Sequence, residues 1–487
     1  MKQTHSLIII LFVLLIVIGW GAAVIDLVGG ESEEYLNHIA LAEDYYARGL
    51  YQKAATEYES ALKLEDSEEI WQKLLDAYQA RYEEDLEIYE YYLPAAESAV
   101  LYYPENIDFL LTLAHLHLDE DAYIAAYKCL NTAIENGLED ERVTNLKMQV
   151  AYSYDILWGE YTAYETCVNG YYAVKRYGAW DYMSEDGSEE GLSGLVYAGP
   201  VGQDNVRVCT NKDRTILTDT DKIVQGIVHT TIEKAGVYSE GLVPVMVENK
   251  YAYYDLLGDK KFGSYDFAGT FVDGKAAVAV GQKWYIIDTE GNQVSSVTYE
   301  QIVINLDGTY CKNDIMIAKE KGKYYMYDME GNKVGSFVAD DVDVVTEDGY
   351  VAFCKNGKWG FADLNGEEVI KPTYEGAKSF SNGLAAVYNG DKWGFINEDE
   401  LLVIAYRFID ADYFNAEGKC MVCTEEREVV IEEEETEEEE TEAAETETDT
   451  TGLSESGDIV LEDTQQNLPT EIEQVWQLLS RHVPNGK

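Results

Sequence analysis

The chain has 487 residues, of which 36 are basic and 92 acidic, for a formal net charge of −56. That balance repels phosphates and anionic lipid, which excludes a sequence-independent nucleic-acid binder and attachment to lipid through basic residues. Apolar residues make up 46% of the chain, enough for packed cores and against wholesale disorder.

In chain order, Leu7 to Ile25 is a stretch of nineteen uncharged residues. As a helix it would be about 28 Å long, close to the hydrocarbon thickness of a bilayer. Lys2 precedes it, and Asp26, Glu31, Glu33 and Glu34 follow. The charge asymmetry predicts a single-pass transmembrane anchor over 1–29, at the cell membrane, with the N-terminus cytoplasmic and the bulk outside. The alternative is a signal peptide cleaved after the small residues Gly21 and Ala23, giving a secreted protein.

From 31 to 180 the apolar period is helical. Leu41-Ala42, Tyr45, Gly49, Tyr51, Ala54, Tyr58 and Ala61 recur as Leu110, Leu113-Ala114, His117, Ala126, Leu130 and Ala133. A looser copy lies between them (Trp71, Leu74-Leu75, Tyr78, Ala99, Pro104), and a fourth helical pair is expected over Val143–Lys175. Small alanines let paired helices approach, and tyrosines fill the space between them. The pattern resembles tetratricopeptide repeats, in which the first helix of each pair lines a peptide-holding groove. Carried over by position, that groove shows Glu43, Tyr46, Glu69, Gln72, Asp76, Gln79, Asp108, His115 and Asp119. Residues 31–190 hold 35 acids against 10 bases, so the expected partner is a basic peptide or protein. The polar stretch Ser184–Gly191 reads as a linker, placed at 181–191.

Over 192–431 short aromatic and β-branched runs alternate with glycine-containing turns. A Lys-aromatic unit recurs with its aromatic at Tyr251, Trp284, Tyr324, Trp359 and Trp393, in steps of 33, 40, 35 and 34 residues; the first four end in Asp-x-x-Gly and the last in Asn397. Two copies read Lys-Trp-Gly-Phe, with Gly360 and Gly394 after the Trp. This region resembles the WG-repeat family of bacterial proteins, and with the helical repeats it implies a protein of the bacterial cell envelope. One unit cannot bury its own aromatic face, so neighbours must stack into a propeller-like or solenoidal array.

Glu432–Asp449 contains eleven Glu and one Asp, which predicts a disordered acidic spacer over 432–468. Thr470 with Glu473 then has capping-box spacing, and Ile472, Val475, Trp476, Leu479 and Val483 fall on one helical stripe. An amphipathic helix over 469–484, docking on a partner through Ile472, Val475, Trp476 and Leu479, is expected.

Seven scattered cysteines exclude a disulfide scaffold. Cys420 and Cys423 lack a second pair or suitably spaced His to complete a zinc site, so no metal is expected. No catalytic or nucleotide-binding motif stands out, so no cofactor and no enzyme activity are expected. The fold class is thus an α-helical tetratricopeptide-like solenoid followed by an all-β repeat array, with an N-terminal transmembrane helix. The expected function is non-catalytic protein–protein interaction or scaffolding in the cell envelope. The alternatives are a cell-wall glycan-binding module using exposed aromatics, and a carboxylate-dependent hydrolase needing a deep cleft with two close acids.

Overall fold

The computed structural model describes residues 33–82, 86–188, 191–219, 223–430, 470–484 and 486. They form two compact units that divide after Ser153.

The first unit is helical: α1 Glu33–Ala47, α2 Tyr51–Leu64, α3 Glu68–Tyr82, α4 Tyr89–Tyr102, α5 Ile107–Asp119, α6 Tyr123–Glu135 and α7 Glu141–Ala151. Consecutive pairs pack as hairpins because alanines occupy the crossing points. Ala42, Ala54, Ala61, Ala77, Ala96, Ala99, Ala114 and Ala126 are all fully buried. Tyr58 and Tyr78 fill the remaining space, and the Tyr78 hydroxyl is satisfied by Glu59. Gly49 and Gly137 take positive φ where the chain leaves α1 and α6. Asn106 caps α5 by accepting from the Phe109 amide at 3.0 Å, and Asp140 caps α7 through the Arg142 amide at 2.8 Å.

The second unit is an eight-bladed β-propeller, each blade an antiparallel sheet. Blade 1 spans Ala163–Ser184, blade 2 Tyr197–Val228, blade 3 Lys234–Tyr265 and blade 4 Phe267–Asp288. Blade 5 spans Gln301–Tyr327, blade 6 Asp341–Tyr374 and blade 7 Gly376–Phe408. Blade 8 is composite: Asp410–Ala411, Lys419–Val430, then Thr470–Arg481, then Tyr154–Ile156 at its outer edge. The ring therefore closes by joining its first strand to its last within one sheet. Met421, Cys423, Trp476 and Leu478 of this blade pack on Tyr161, Tyr172, Val174 and Met183, sealing it against blade 1.

Several expectations are corrected here. The fourth helical pair is a single helix, α7, followed by strands. Asn169-Gly170 and Tyr177-Gly178, both with positive φ, are two-residue hairpin turns that change the period from 3.6 to 2. The linker expected at 181–191 begins inside a strand, Ala179–Ser184. The terminal helix is a strand, Thr470–Arg481, paired along Lys419–Val430. Leu478, off the helical stripe, is as buried as Val475, Trp476 and Leu479, because an inner strand is covered on both faces. Ile472, on the stripe, is 64% exposed. The transmembrane helix and the single-pass membrane location are also corrected. Among the described residues no helix is long and apolar enough to cross a membrane. The longest have 15 residues, about 22 Å at 1.5 Å per residue, and carry acidic groups. Residues 1–29 and 432–468, on which the anchor and the spacer were read, lie outside the described residues.

The Trp-Gly pair has a steric reason. Blades 6 and 7 have a fourth strand, Glu368–Tyr374 and Leu402–Phe408, kinked by register shifts against the Trp-Gly strand. A Cβ on Gly360 would stand 2.6 Å from the Pro372 nitrogen, and one on Gly394 2.8 Å from the Ile404 carbonyl oxygen. Where Tyr285 and Tyr325 replace the glycine, blades 4 and 5 keep only three strands, and the fourth is reduced to isolated bridges. In blade 5, Lys333 Nζ lies 3.2 Å above the Tyr325 ring.

The propeller also uses its acids as backbone clips. In the Asp-x-x-Gly turns Asp255, Asp288 and Asp363 each accept from the amides two and four residues on, at 2.8–3.0 Å. A second set, just before the innermost strands of blades 3 to 6, holds the hairpin of the blade that it enters. Glu233, Asp266, Glu300 and Asp340 accept from the amides of Asn249, Gly281, Gly322 and Asn356. The lysine that opens the repeat motif pairs with this acid: Lys250 with Asp266, Lys323 with Asp340, and Lys358 with Glu375.

Candidate functional site

The first helices of the three hairpins, α1, α3 and α5, present one row of side chains. Two hollows open along it. One, of about 320 Å³, is lined by Gln79, Asp108, His115 and Asp119 over a floor of Tyr82, Leu111 and Leu116. The other, of about 260 Å³, is lined by Glu43, Tyr46, Tyr58, Lys73 and Asp76. Seven of the nine sequence-predicted groove positions thus face the two hollows. The remaining two attach to them: Gln72 donates to Asp76 at 2.8 Å, and Glu69 accepts from Lys73 at 2.8 Å. The 3.6-residue period and the hairpin spacing are sufficient to align these positions on one face.

Electrostatics give the row a sign. Glu43, Glu69, Asp76, Asp108 and Asp119 stand along it, and all five are exposed. Two cations partner them: Lys73 bridges Glu43 at 2.7 Å and Glu69 at 2.8 Å, and Arg142 on α7 reaches Asp108 at 3.0 Å. Hydrogen bonds donated to Glu43 and Glu69 hold the Lys73 ammonium well above the usual lysine range. The same contact holds Glu69 below the usual carboxylate range. The Tyr82 hydroxyl is raised by burial and by the nearby charge of Asp119. Sequence reading missed Lys73 and Arg142. The i, i+4 spacing of Glu69 and Lys73 was the available signal for the first; Arg142 is brought in only by the packing of α7.

A second polar cluster lies along the innermost strands of the propeller. Lys378 of blade 7 lies 3.8 Å from both Asp410 and Asp412 of blade 8. Asp343 of blade 6 accepts from the Tyr413 hydroxyl at 2.7 Å and the Ser379 amide at 2.6 Å. Asp412 accepts from Thr166 of blade 1 at 3.1 Å. Burial raises both carboxyls, against the pull of these donors. Each acid is already engaged across a blade boundary, so the cluster ties blades 6, 7, 8 and 1 together. It does not offer the pair of available carboxylates a glycosidase-like site needs.

The repeat aromatics are partly or fully buried against neighbouring side chains, within a blade or across to the next. Trp284 stacks at 4.9 Å on Phe267, Tyr251 lies 5.9 Å from Phe267, and Tyr324 is 5% exposed. Trp359 joins the cluster of Phe361, Ile370 and Phe380, and Trp393 lies 5.3 Å from Tyr388. They do not form an exposed row for a glycan. Of the former partner-helix residues, Val475, Trp476 and Leu479 are buried in blade 8. Among the described residues no cluster of His, Cys, Asp or Glu could hold a metal ion.

Comparison with known proteins gives a family match within the propeller and structural neighbours of low similarity. The WG containing repeat family matches residues 264–284 and 359–393. The helical region has tetratricopeptide domains among its structural neighbours. The Sgt2 TPR domain from Aspergillus fumigatus is 18% identical, at a TM-score of 0.20, over 25% of this chain and 79% of that one. The Arabidopsis OM64 TPR domain is 15% identical, at a TM-score of 0.20, over 25% and 97%. Kluyveromyces lactis Hsv2 is 10% identical, at a TM-score of 0.32, over 56% of this chain and 94% of that one. No curated protein matches the chain in sequence.

Proposed function

We propose that the chain is a non-catalytic scaffold whose helical groove holds an extended, lysine- or arginine-rich segment of a partner protein. The observation that carries this reading is the imbalance along one helix row: five exposed carboxylates share two cations beside two hollows with tyrosine in their walls. The unit as a whole sets the same field, with 26 acids against 8 bases over residues 33–151. Such a field steers a cationic segment and fixes its register, while Tyr46, Tyr82 and Leu111 supply apolar contact.

The test is a titration of the full chain with a labelled Lys/Arg-rich peptide and with its Glu-substituted counterpart, at low and raised salt. The account expects binding of the basic peptide only, weakening with salt. Combining Glu43→Gln, Asp76→Asn, Asp108→Asn and Asp119→Asn should weaken it by at least tenfold, since four exposed pairs at about 0.5 kcal/mol each sum to about 2 kcal/mol. Equal binding of both peptides, or binding unchanged in the combined variant, would refute it.

A further inference from the structure

The closing hairpin of blade 8 is longer than the blade it closes. Its strands, Lys419–Val430 and Thr470–Arg481, have twelve residues each and pair from Lys419–Ser480 to Val430–Thr470. The neighbouring strands cover only part of this length. Asp410–Ala411 pairs with Val422 and Cys423. Tyr154–Ile156 pairs with Leu479–Arg481, and Tyr161 adds one bridge at Trp476. Beyond these contacts a two-stranded ribbon, residues 425–430 with 470–475, continues, and among the described residues no further strand pairs with either of its edges.

The register fixes which groups face outward. Trp476 exchanges both backbone hydrogen bonds with Tyr161, so its N–H points away from the Lys419–Val430 strand. By the two-residue period the amides of Gln474 and Ile472 point the same way, and among the described residues they have no ladder partner. A two-stranded ribbon is marginal alone and invites a third strand.

What surrounds this edge selects the strand. A hollow of about 260 Å³ lies beside it, walled by Glu160, Thr162, Tyr177, Glu473 and Val475 together with two bases, Arg427 and Arg176, the latter paired with Asp181 at 3.2 Å. Tyr177 is 97% exposed and is held at φ 50°, a conformation unusual for an aromatic residue. The ribbon's one base, Arg427, is already held by Glu160 at 2.8 Å and by Glu425 at 2.8 Å. Glu426, Glu428, Glu471 and Glu473 have no cationic partner among the described residues. A second copy of the chain would bring these same carboxylates against themselves.

We infer that the 472–474 edge of this ribbon is a docking site for an extended basic peptide, which adds as a third strand with alternate side chains over the Tyr177 hollow and beside Glu471 and Glu473. Backbone pairing would supply the affinity, and the carboxylates the preference for lysine or arginine. This surface belongs to the propeller and is independent of the helical groove.

The test uses the full chain carrying the four groove substitutions above, so that groove binding does not interfere. The probes are an alternating Lys-Val octapeptide and its Glu-Val counterpart, and the readout is amide hydrogen exchange. The expected result is at least tenfold slower exchange at Ile472 and Gln474 with Lys-Val, and no change with Glu-Val. Ile472→Pro removes an N–H that makes no ladder bond within the ribbon, and should abolish the protection. The double change Glu471→Lys, Glu473→Lys leaves the backbone edge intact and should reverse the peptide preference. Unchanged exchange with Lys-Val, equal protection by both peptides, protection that survives Ile472→Pro, or protection that appears on self-association without peptide would each overturn the inference.

Discussion

The helical unit and the propeller are both rich in carboxylates but use them differently. In the propeller, acids close turns and clip one blade to the next: Asp255, Asp288 and Asp363 hold backbone amides, and Asp266 and Asp340 hold an amide and a lysine each. In the groove, Glu43, Glu69, Asp76, Asp108 and Asp119 share Lys73 and Arg142, and no backbone turn depends on them. A high acid content in both units therefore conceals structural charge in one and charge available for recognition in the other. The physical reason is geometric. A β-turn offers inward N–H groups that a short Asp can reach, whereas mid-helix amides are already bonded and leave side chains to face solvent or a partner.

This contrast can be broken in several ways, from the largest expected effect to the smallest. Trp476→Ala empties the seam between blades 8 and 1 and should destabilise the propeller by about 3–5 kcal/mol. Hydrogen exchange would show the loss of protection in blades 8 and 1, and unchanged protection there would contradict the closed ring. Gly360→Val places a branched side chain where blade 6 has backbone. It should cost about 1–3 kcal/mol in denaturant unfolding. Tyr285→Gly, in a blade that has no regular fourth strand, should cost less than that and should not build one. Neutralising the groove acids should leave thermal unfolding unchanged or raise it slightly, by relieving like-charge repulsion, while the basic peptide dissociates.

Acid should act on the propeller through its clips. Asp266 and Asp340 are held below their ordinary value first by hydrogen bonds from Lys250 and Lys323. Asp288 is held down first by the Asn292 amide, and Asp328 first by the Asn332 side chain. A depressed carboxyl stabilises the fold above its unfolded value, here 3.8, and that stabilisation is lost as the pH falls through the lower folded value. Asp343 and Asp412 are raised by burial and so oppose this trend. Because the depressed acids outnumber these two, the propeller should melt at lower temperature as pH drops below about 4, as circular dichroism would show. The smallest single effect is expected for Asp266→Asn, whose side chain can still accept from the Gly281 amide.

Much of this division is legible in the sequence. The alanine and tyrosine spacing of α1 and α2 predicts the hairpin, and the same spacing aligns Glu43, Asp76 and Asp108 on one face. The Lys-aromatic period locates blades 3 to 7, and Gly360 and Gly394 sit in two of the blades with a kinked fourth strand, blade 3 having one with Ala252 at that position. Blade 1 is obscured because its hairpins turn on Asn169-Gly170 and Tyr177-Gly178 and lack the Asp-x-x-Gly turn. The closing strand is obscured because Ile472, Val475, Trp476 and Leu479 satisfy a helical period by chance. The pairing that makes it a strand lies across the 431–469 insertion, out of reach of any local window. Lys378 and Asp343 are likewise ordinary surface-like residues until the ring brings three blades together.

The most direct test of the central claim compares two multiple variants of the full chain in the same two assays, basic-peptide affinity and thermal unfolding. One carries Glu43→Gln, Asp76→Asn, Asp108→Asn and Asp119→Asn. The other carries Asp255→Ala, Asp288→Ala, Asp328→Ala and Asp363→Ala. The account predicts that the first loses affinity by at least tenfold with its melting temperature preserved. The second should melt several degrees lower, with its affinity at the groove preserved. If the groove variant binds as well as the parent, or if the turn variant loses binding while melting normally, the assignment of recognition to the helical groove and of structure to the propeller acids is wrong.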